Sequence, residues 1–144
     1  MIIGLGTDIV EVKRIKAAIA KNENFVTRIY TPAEIAYCRQ KSRPEISFAA
    51  RFAAKEAISK AFGTGIGKIS WLDMEITNAQ SGQPLVHLSG NCAMISQEKQ
   101  VQTVHLTLSH TEEYAVATAI LEGGNDNVSG NLTTDACNRP KSNK

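Results

Sequence analysis

The stretch from Glu45 to Phe62, EISFAARFAAKEAISKAF, constrains this chain more than any other. It holds six alanines, the residue that costs least to place in a helix, and Gly63 follows where such a helix would stop. The spacing predicts one long helix. Phe52, Ala53, Ala54, Ala57, Ile58, Ala61 and Phe62 leave little of its surface for water. Polar residues set within so apolar a helix are candidates for lining a site.

The rest of the chain supplies the partners. Ile2 to Val12 reads as a strand rich in Ile, Val and Thr. Val12 to Ala20 switches to helical spacing, with Val12, Ile15 and Ile19 on one face. Phe25, Val26, Ile29 and Tyr30 give a short helical turn. Thr31-Pro32-Ala33-Glu34 is a helix start: Thr31 caps, Pro32 has its φ preset, and Glu34 reaches back to complete a capping box. That helix is expected to end near Lys41. Trp71 to Ala79 and Pro84 to Leu88 are expected strands around a Ser81-Gly82 turn, and Asn91 to Gln100 a modest helix. Val101 to Ser109 alternates, residues 110–113 turn, and Tyr114 to Leu121 returns, which implies an antiparallel hairpin. The class is α+β, a mainly antiparallel sheet packed with one long helix and several shorter ones.

Composition sets outer limits. At 144 residues and 42% apolar content, one core suffices without metal or disulfide staples. The expected domain covers residues 1–122, and residues 123–144 (GGNDNVSGNLTTDACNRPKSNK) read as a flexible polar tail. No apolar run approaches ~18 residues, so no membrane span is expected. A formal net charge of +2 argues against nucleic acid as a bulk partner. The start, MIIGLGTD, lacks the basic-then-apolar pattern of a secretory leader. Cys38, Cys92 and Cys137 are widely spaced and form no Cys-x-x-Cys, so neither a disulfide framework nor a zinc cluster is expected. Cys38 and Cys92 read as small buried residues, and a reducing, cytoplasmic setting fits.

Four segments could carry chemistry. Gly4-x-Gly6-x-Asp8 lacks the third glycine of a dinucleotide loop, since Ile9 stands there. What remains is a carboxylate, Asp8, within an Ile- and Val-rich strand, where it caps a turn or serves as a metal ligand or catalytic group. On the long helix, Glu56, Ser59, Lys60 and Gly63 share a face, while Arg51 and Lys55 pair beside it. A solvated Glu56–Lys60 pair is the plain alternative. Gly63-Thr-Gly65-Ile-Gly67-Lys68 fails as a Walker A loop, because Phe62 and Ile69 occupy diagnostic positions. Its backbone N–H groups could still meet a phosphate. Finally, Ser109 and His110 end a strand, where a histidine is well placed to touch a ligand, a surface histidine being the plain alternative; adjacent strand residues face opposite ways, so adjacency alone makes them no triad. Asp8, Glu56, a basic set (Arg51, Lys55, Lys60), a glycine loop and His110 together make a plausible site for a divalent cation and a phosphorylated ligand.

Three segments in order resemble one family. They are GLGTDIVEVKRI from Gly4, RFAAKEAISKAFGTG from Arg51, and LSHT from Leu108 followed by YAVA from Tyr114. The family is holo-[acyl-carrier-protein] synthase, the small trimeric class of 4'-phosphopantetheinyl transferases, and the resemblance spans essentially residues 1–122. It implies transfer of the 4'-phosphopantetheine arm of coenzyme A to a serine of apo acyl carrier protein, with release of adenosine 3',5'-bisphosphate. It implies magnesium, or manganese in its place, on Asp8 and Glu56. Lys60 and His110 correspond to family residues at the phosphates. The serine proton would pass to Glu56 through water, with a metal-bound water and His110 as alternatives. Coenzyme A contacts would fall at Lys60, Gly65, Pro84, Ser109 and His110. Arg14, Phe25 and Arg28 would read the acidic carrier protein, charge steering and an apolar centre holding. The family's trimer, with sites between subunits, is a further expectation. The alternatives are a metal-dependent phosphohydrolase or nucleotide-binding enzyme, and a non-catalytic oligomeric module for an acidic partner.

Overall fold

The structure, a computed structural model, describes residues 1–124. Strand β1 (Ile2–Glu11) runs into α1 (Val12–Lys21), α2 (Glu23–Ile29), α3 (Pro32–Arg39) and the long α4 (Pro44–Phe62). Strands β2 (Met74–Asn78) and β3 (Pro84–Leu88), helix α5 (Gly90–Glu98), and strands β4 (Val101–His110) and β5 (Tyr114–Gly123) complete the described chain. The β4–β5 hairpin forms as expected, and β1 adds to the outer edge of β5, giving an antiparallel sheet in the order β1-β5-β4. Strands β2 and β3 form a separate antiparallel ribbon.

Helix α4 lies against one face of the three-stranded sheet, and two glycines let it come close. A Cβ at Gly6 would stand 2.0 Å from the Ala57 carbonyl oxygen, and one at Gly4 2.0 Å from that of Ala61. Ala57 and Ala61 are one helical turn apart, and Gly4 and Gly6 are same-face neighbours on β1, so backbone meets backbone along both elements. The C-terminal half of α4 then packs with Ala117, Ala119 and Leu121 of β5 and with Met74, Ile76 and Val86 of the ribbon. Its N-terminal half packs with Val12, Ile15, Val26, Ile29 and Tyr30 of α1 and α2. Gly63, in the left-handed region at φ 74°, ends the helix as expected.

The capping box of α3 is present: Glu34 N–H donates to Thr31 Oγ1, and Thr31 N–H to Glu34 Oε1 at 2.9 Å. One expectation fails locally. Trp71–Asp73 is a 3₁₀ turn and the strand begins at Met74, because Ser70 and Asp73 form a side-chain cap of their own. Cys38 and Cys92 are buried, and burial pushes the Cys38 thiol up to about 11. Strand β5 reaches Gly123, whose N–H donates to Met1 O at 2.9 Å, one residue past the expected limit of the domain. Residues 125–144 of the expected tail, Cys137 among them, lie outside the described residues.

Candidate active site

Side chains alternate along a strand, so Asp8 follows Gly4 and Gly6 on the face turned to α4. Where the glycine track ends, α4 presents Lys60 and Glu56. Lys60 Nζ donates to Asp8 Oδ1 at 3.0 Å and to the Thr7 carbonyl at 3.0 Å. Glu56 is half-buried. Desolvation raises its carboxyl pKa above the ordinary value, the Asp8 charge raises it further, and Lys60 opposes both. The two carboxylates thus repel one another across one cleft of about 400 Å³, which Arg14, Phe25 and Phe52 also line.

Asp8 and Glu56 offer hard carboxylate oxygens, which suit a divalent cation, beside the Lys60 ammonium and the Arg14 guanidinium. Among the described residues no cluster of three or more His, Cys, Asp or Glu could hold a metal ion. The protein would therefore supply two donors and leave the remainder to substrate oxygens and water, which is how magnesium is commonly bound beside phosphates.

The wall of the cleft is aromatic. Phe52 stacks against Phe25 on one side, ring centres 6.4 Å apart, and against Trp71 on the other at 5.0 Å. Arg14 and Arg28 are exposed on α1 and α2.

Other expected site residues stand apart from this cleft within one chain. His110 faces the helix side of the sheet but pairs with Ala115, which pairs with Val10, so β5 lies between it and the cleft wall. Two strand spacings of about 4.8 Å separate those rows. Ser109 aligns through Val116 with Ile9 on the opposite face. Pro84 pairs with Asn78, which accepts from Arg51 at 2.8 Å. Arg51 is in the first half of α4 while Gly65 lies past its end. From Arg51 to the Gly63 cap the helix rises about 18 Å.

Two expectations are corrected. Lys55 is not part of a basic set open to a ligand. It is fully buried, and its ammonium donates to Ile29 O at 2.6 Å, Glu34 Oε1 at 2.6 Å and Trp71 O at 3.1 Å. Arg51 is buried too, spent on Asn78 and on the Tyr37 ring 4.1 Å away. Only Lys60 of that set reaches solvent. The glycine loop is likewise no open N–H cradle. The N–H groups of Gly63, Thr64, Gly65 and Gly67 turn to the carbonyls of Lys60, Ser59 and Ile69. Glu34, which accepts from Ile76 N–H as well as from Lys55, was legible as a cap but not as a buried counter-ion. The signal was Lys55 itself, a lysine spaced with Phe48, Ile58 and Phe62 on an apolar helix.

A family model described as 4'-phosphopantetheinyl transferase superfamily matches residues 4–119. The chain is 49% identical over 124 residues to a holo-[acyl-carrier-protein] synthase of Koribacter versatilis, covering 85% of this chain and 99% of the relative. Its fold is similar to the crystal structure of holo-[acyl-carrier-protein] synthase from Neisseria meningitidis, with TM-score 0.79, 37% identity, and 85% and 99% of the two chains covered. It is also similar to the synthase from Bacillus anthracis in complex with CoA (3',5'-ADP), with TM-score 0.72, 42% identity, and coverage of 86% and 99%.

Proposed function

The chain belongs to the 4'-phosphopantetheinyl transferase superfamily, and we propose that it is a holo-[acyl-carrier-protein] synthase, moving the 4'-phosphopantetheine group of coenzyme A onto a serine of apo acyl carrier protein. The observation that carries this reading is the meeting of Asp8, Glu56 and Lys60 in one cleft, flanked by Arg14 and Phe25.

In the reaction, the serine Oγ forms a bond to the β-phosphorus, and the bond from that phosphorus to the bridging oxygen breaks. Adenosine 3',5'-bisphosphate leaves with the α-phosphate. The serine proton would go through water to Glu56, a half-buried carboxylate lining the cleft. Lys60, flexible and half-exposed, meets charge on the departing phosphate, and His110 meets the diphosphate. Asp8 and Glu56 would hold magnesium, or manganese in its place, which would supply charge neutralisation at the diphosphate and Lewis-acid polarisation of the phosphorus. Arg14 and Arg28 steer an acidic carrier protein, and Phe25 gives it an apolar seat.

We further propose a homotrimer with sites between subunits. The sheet face away from α4 carries Leu5 and Ile9 at 65% and 63% exposure, aligned with Ile120 and Val116. With sites between subunits, Ser109, His110, Gly65 and Pro84, which stand apart from the cleft within one chain, would act from a neighbouring subunit. Residues 1–122 carry the activity, so a chain cut after Gly124 is expected to keep it.

The test combines the protein with apo carrier protein, coenzyme A and magnesium. Carrier modification appears as a mass gain of about 340 Da, the size of the arm. Asp8→Ala and Glu56→Ala are expected to abolish the gain while keeping the native circular dichroism. Phosphate release from coenzyme A without carrier modification would favour a hydrolase. No chemistry at all, with carrier binding intact, would leave a binding module.

A further inference from the structure

Lys60 makes two contacts that together fix an ammonium over Asp8, one to the carboxylate oxygen Oδ1 and one to the Thr7 carbonyl, both at 3.0 Å. Asp8 is 17% exposed and Lys60 51%, so the pair sits at the mouth of the cleft, partly shielded on the carboxylate side. Among the described residues, Arg14 is the other cation lining that cleft, and Glu56 its second carboxylate. An Asp8 oxygen already accepting from an ammonium is a poorer ligand for a second cation, and a dication taken up there would face the ammonium across a single carboxylate. Lys60 is also flexible, with four rotatable bonds and its head at the solvent edge. A diphosphate arriving beside Asp8 offers that head a stronger anionic partner.

We propose that Lys60 couples the two ligands of this site: its ammonium competes with the divalent cation for Asp8, and the diphosphate draws it off. Each ligand then strengthens the other by the same factor, because binding linkage is reciprocal. Lys60 would thereby hold back cation binding until the diphosphate is present. The inference rests on the metal assignment above and goes beyond the contact of Lys60 with phosphate.

The test is titration with Mn²⁺ followed by electron paramagnetic resonance, on wild type, Lys60→Met, Lys60→Gln and Lys60→Arg, each with and without coenzyme A. Mn²⁺ bound by coenzyme A itself is measured without protein and subtracted. Without coenzyme A, Lys60→Met and Lys60→Gln are expected to bind Mn²⁺ roughly three- to tenfold more tightly than wild type, while Lys60→Arg stays near wild type. Coenzyme A is expected to tighten Mn²⁺ binding by a larger factor in wild type than in Lys60→Met. Equal or weaker Mn²⁺ binding by both neutral variants overturns the coupling and leaves the metal assignment standing. No Mn²⁺ binding by any form, matching an Asp8→Ala control, overturns both.

Discussion

Lys55 Nζ lies 2.6 Å from Glu34 Oε1, and neither side chain reaches solvent. With the Ile29 and Trp71 carbonyls, that ammonium has three acceptors, and Glu34 has Thr31 and Ile76 as further donors. The pair joins the end of α2, the start of α3, the middle of α4 and strand β2, one residue from Glu56. Burial pulls the Lys55 pKa down and the Glu34 charge resists. Lys55→Met leaves a buried carboxylate unpaired and is expected to cost about 3–5 kcal/mol. The double variant Lys55→Met with Glu34→Gln, which removes both charges, is expected to recover much of that loss. Urea denaturation of the three proteins checks it; a double variant no better than Lys55→Met would mean the charge is not the cause.

Gly6→Ala pits a methyl group against the Ala57 carbonyl. Neither backbone can yield without moving α4 off β1, so the expected loss is about 3 kcal/mol or more, or failure to fold. Ala57→Gly cannot relieve it, because the clash is with main chain. Denaturation midpoints of the single and double variants decide.

The pH dependence of Glu56 has a definite sign. Its folded pKa is raised, so between the ordinary value of 4.5 and the raised one the folded protein holds more protons than the unfolded. Its contribution to stability is full below the ordinary value and is lost as pH rises through the folded value. Glu56→Gln, which never ionises, is therefore expected to melt above wild type at pH 7 in chelator, by about 1–3 °C, with the gap closing toward pH 4. Parallel melting curves across that range would remove Asp8 and burial as the cause.

Arg14→Ala is expected to raise KM for carrier protein about tenfold, with KM for coenzyme A nearly unchanged and a weaker dependence on salt. Steady-state rates with each substrate varied in turn give the split. Equal rises in both would remove Arg14 from the partner surface.

Periodicity was enough for the helices and strands except at Trp71–Asp73, where a side-chain cap makes a 3₁₀ turn, and the cap at Thr31 and Glu34 was legible because its two halves are three residues apart. Lys55 was not, since helical spacing identifies neighbours along one helix and says nothing of a carboxylate on another. The alternation Gly4, Gly6, Asp8 could be seen, but its purpose appears only against Ala57 and Ala61 on the facing helix. The separation of His110 from Asp8 follows from β5 lying between β4 and β1, and a hairpin pattern does not say which side a third strand takes. The motifs that pick out Asp8, Glu56 and Lys60 were visible from residue types alone; their convergence required the sheet.

Trp71 is the only indole in the chain, and its ring stacks on Phe52, which is itself a wall of the cleft. Whatever enters the cleft and shifts Phe52 alters the polarity and stacking felt by that indole. The protein thus carries a built-in optical gauge: its ultraviolet emission should change as the cleft fills, and rapid mixing could time the arrival of each reactant without any attached dye.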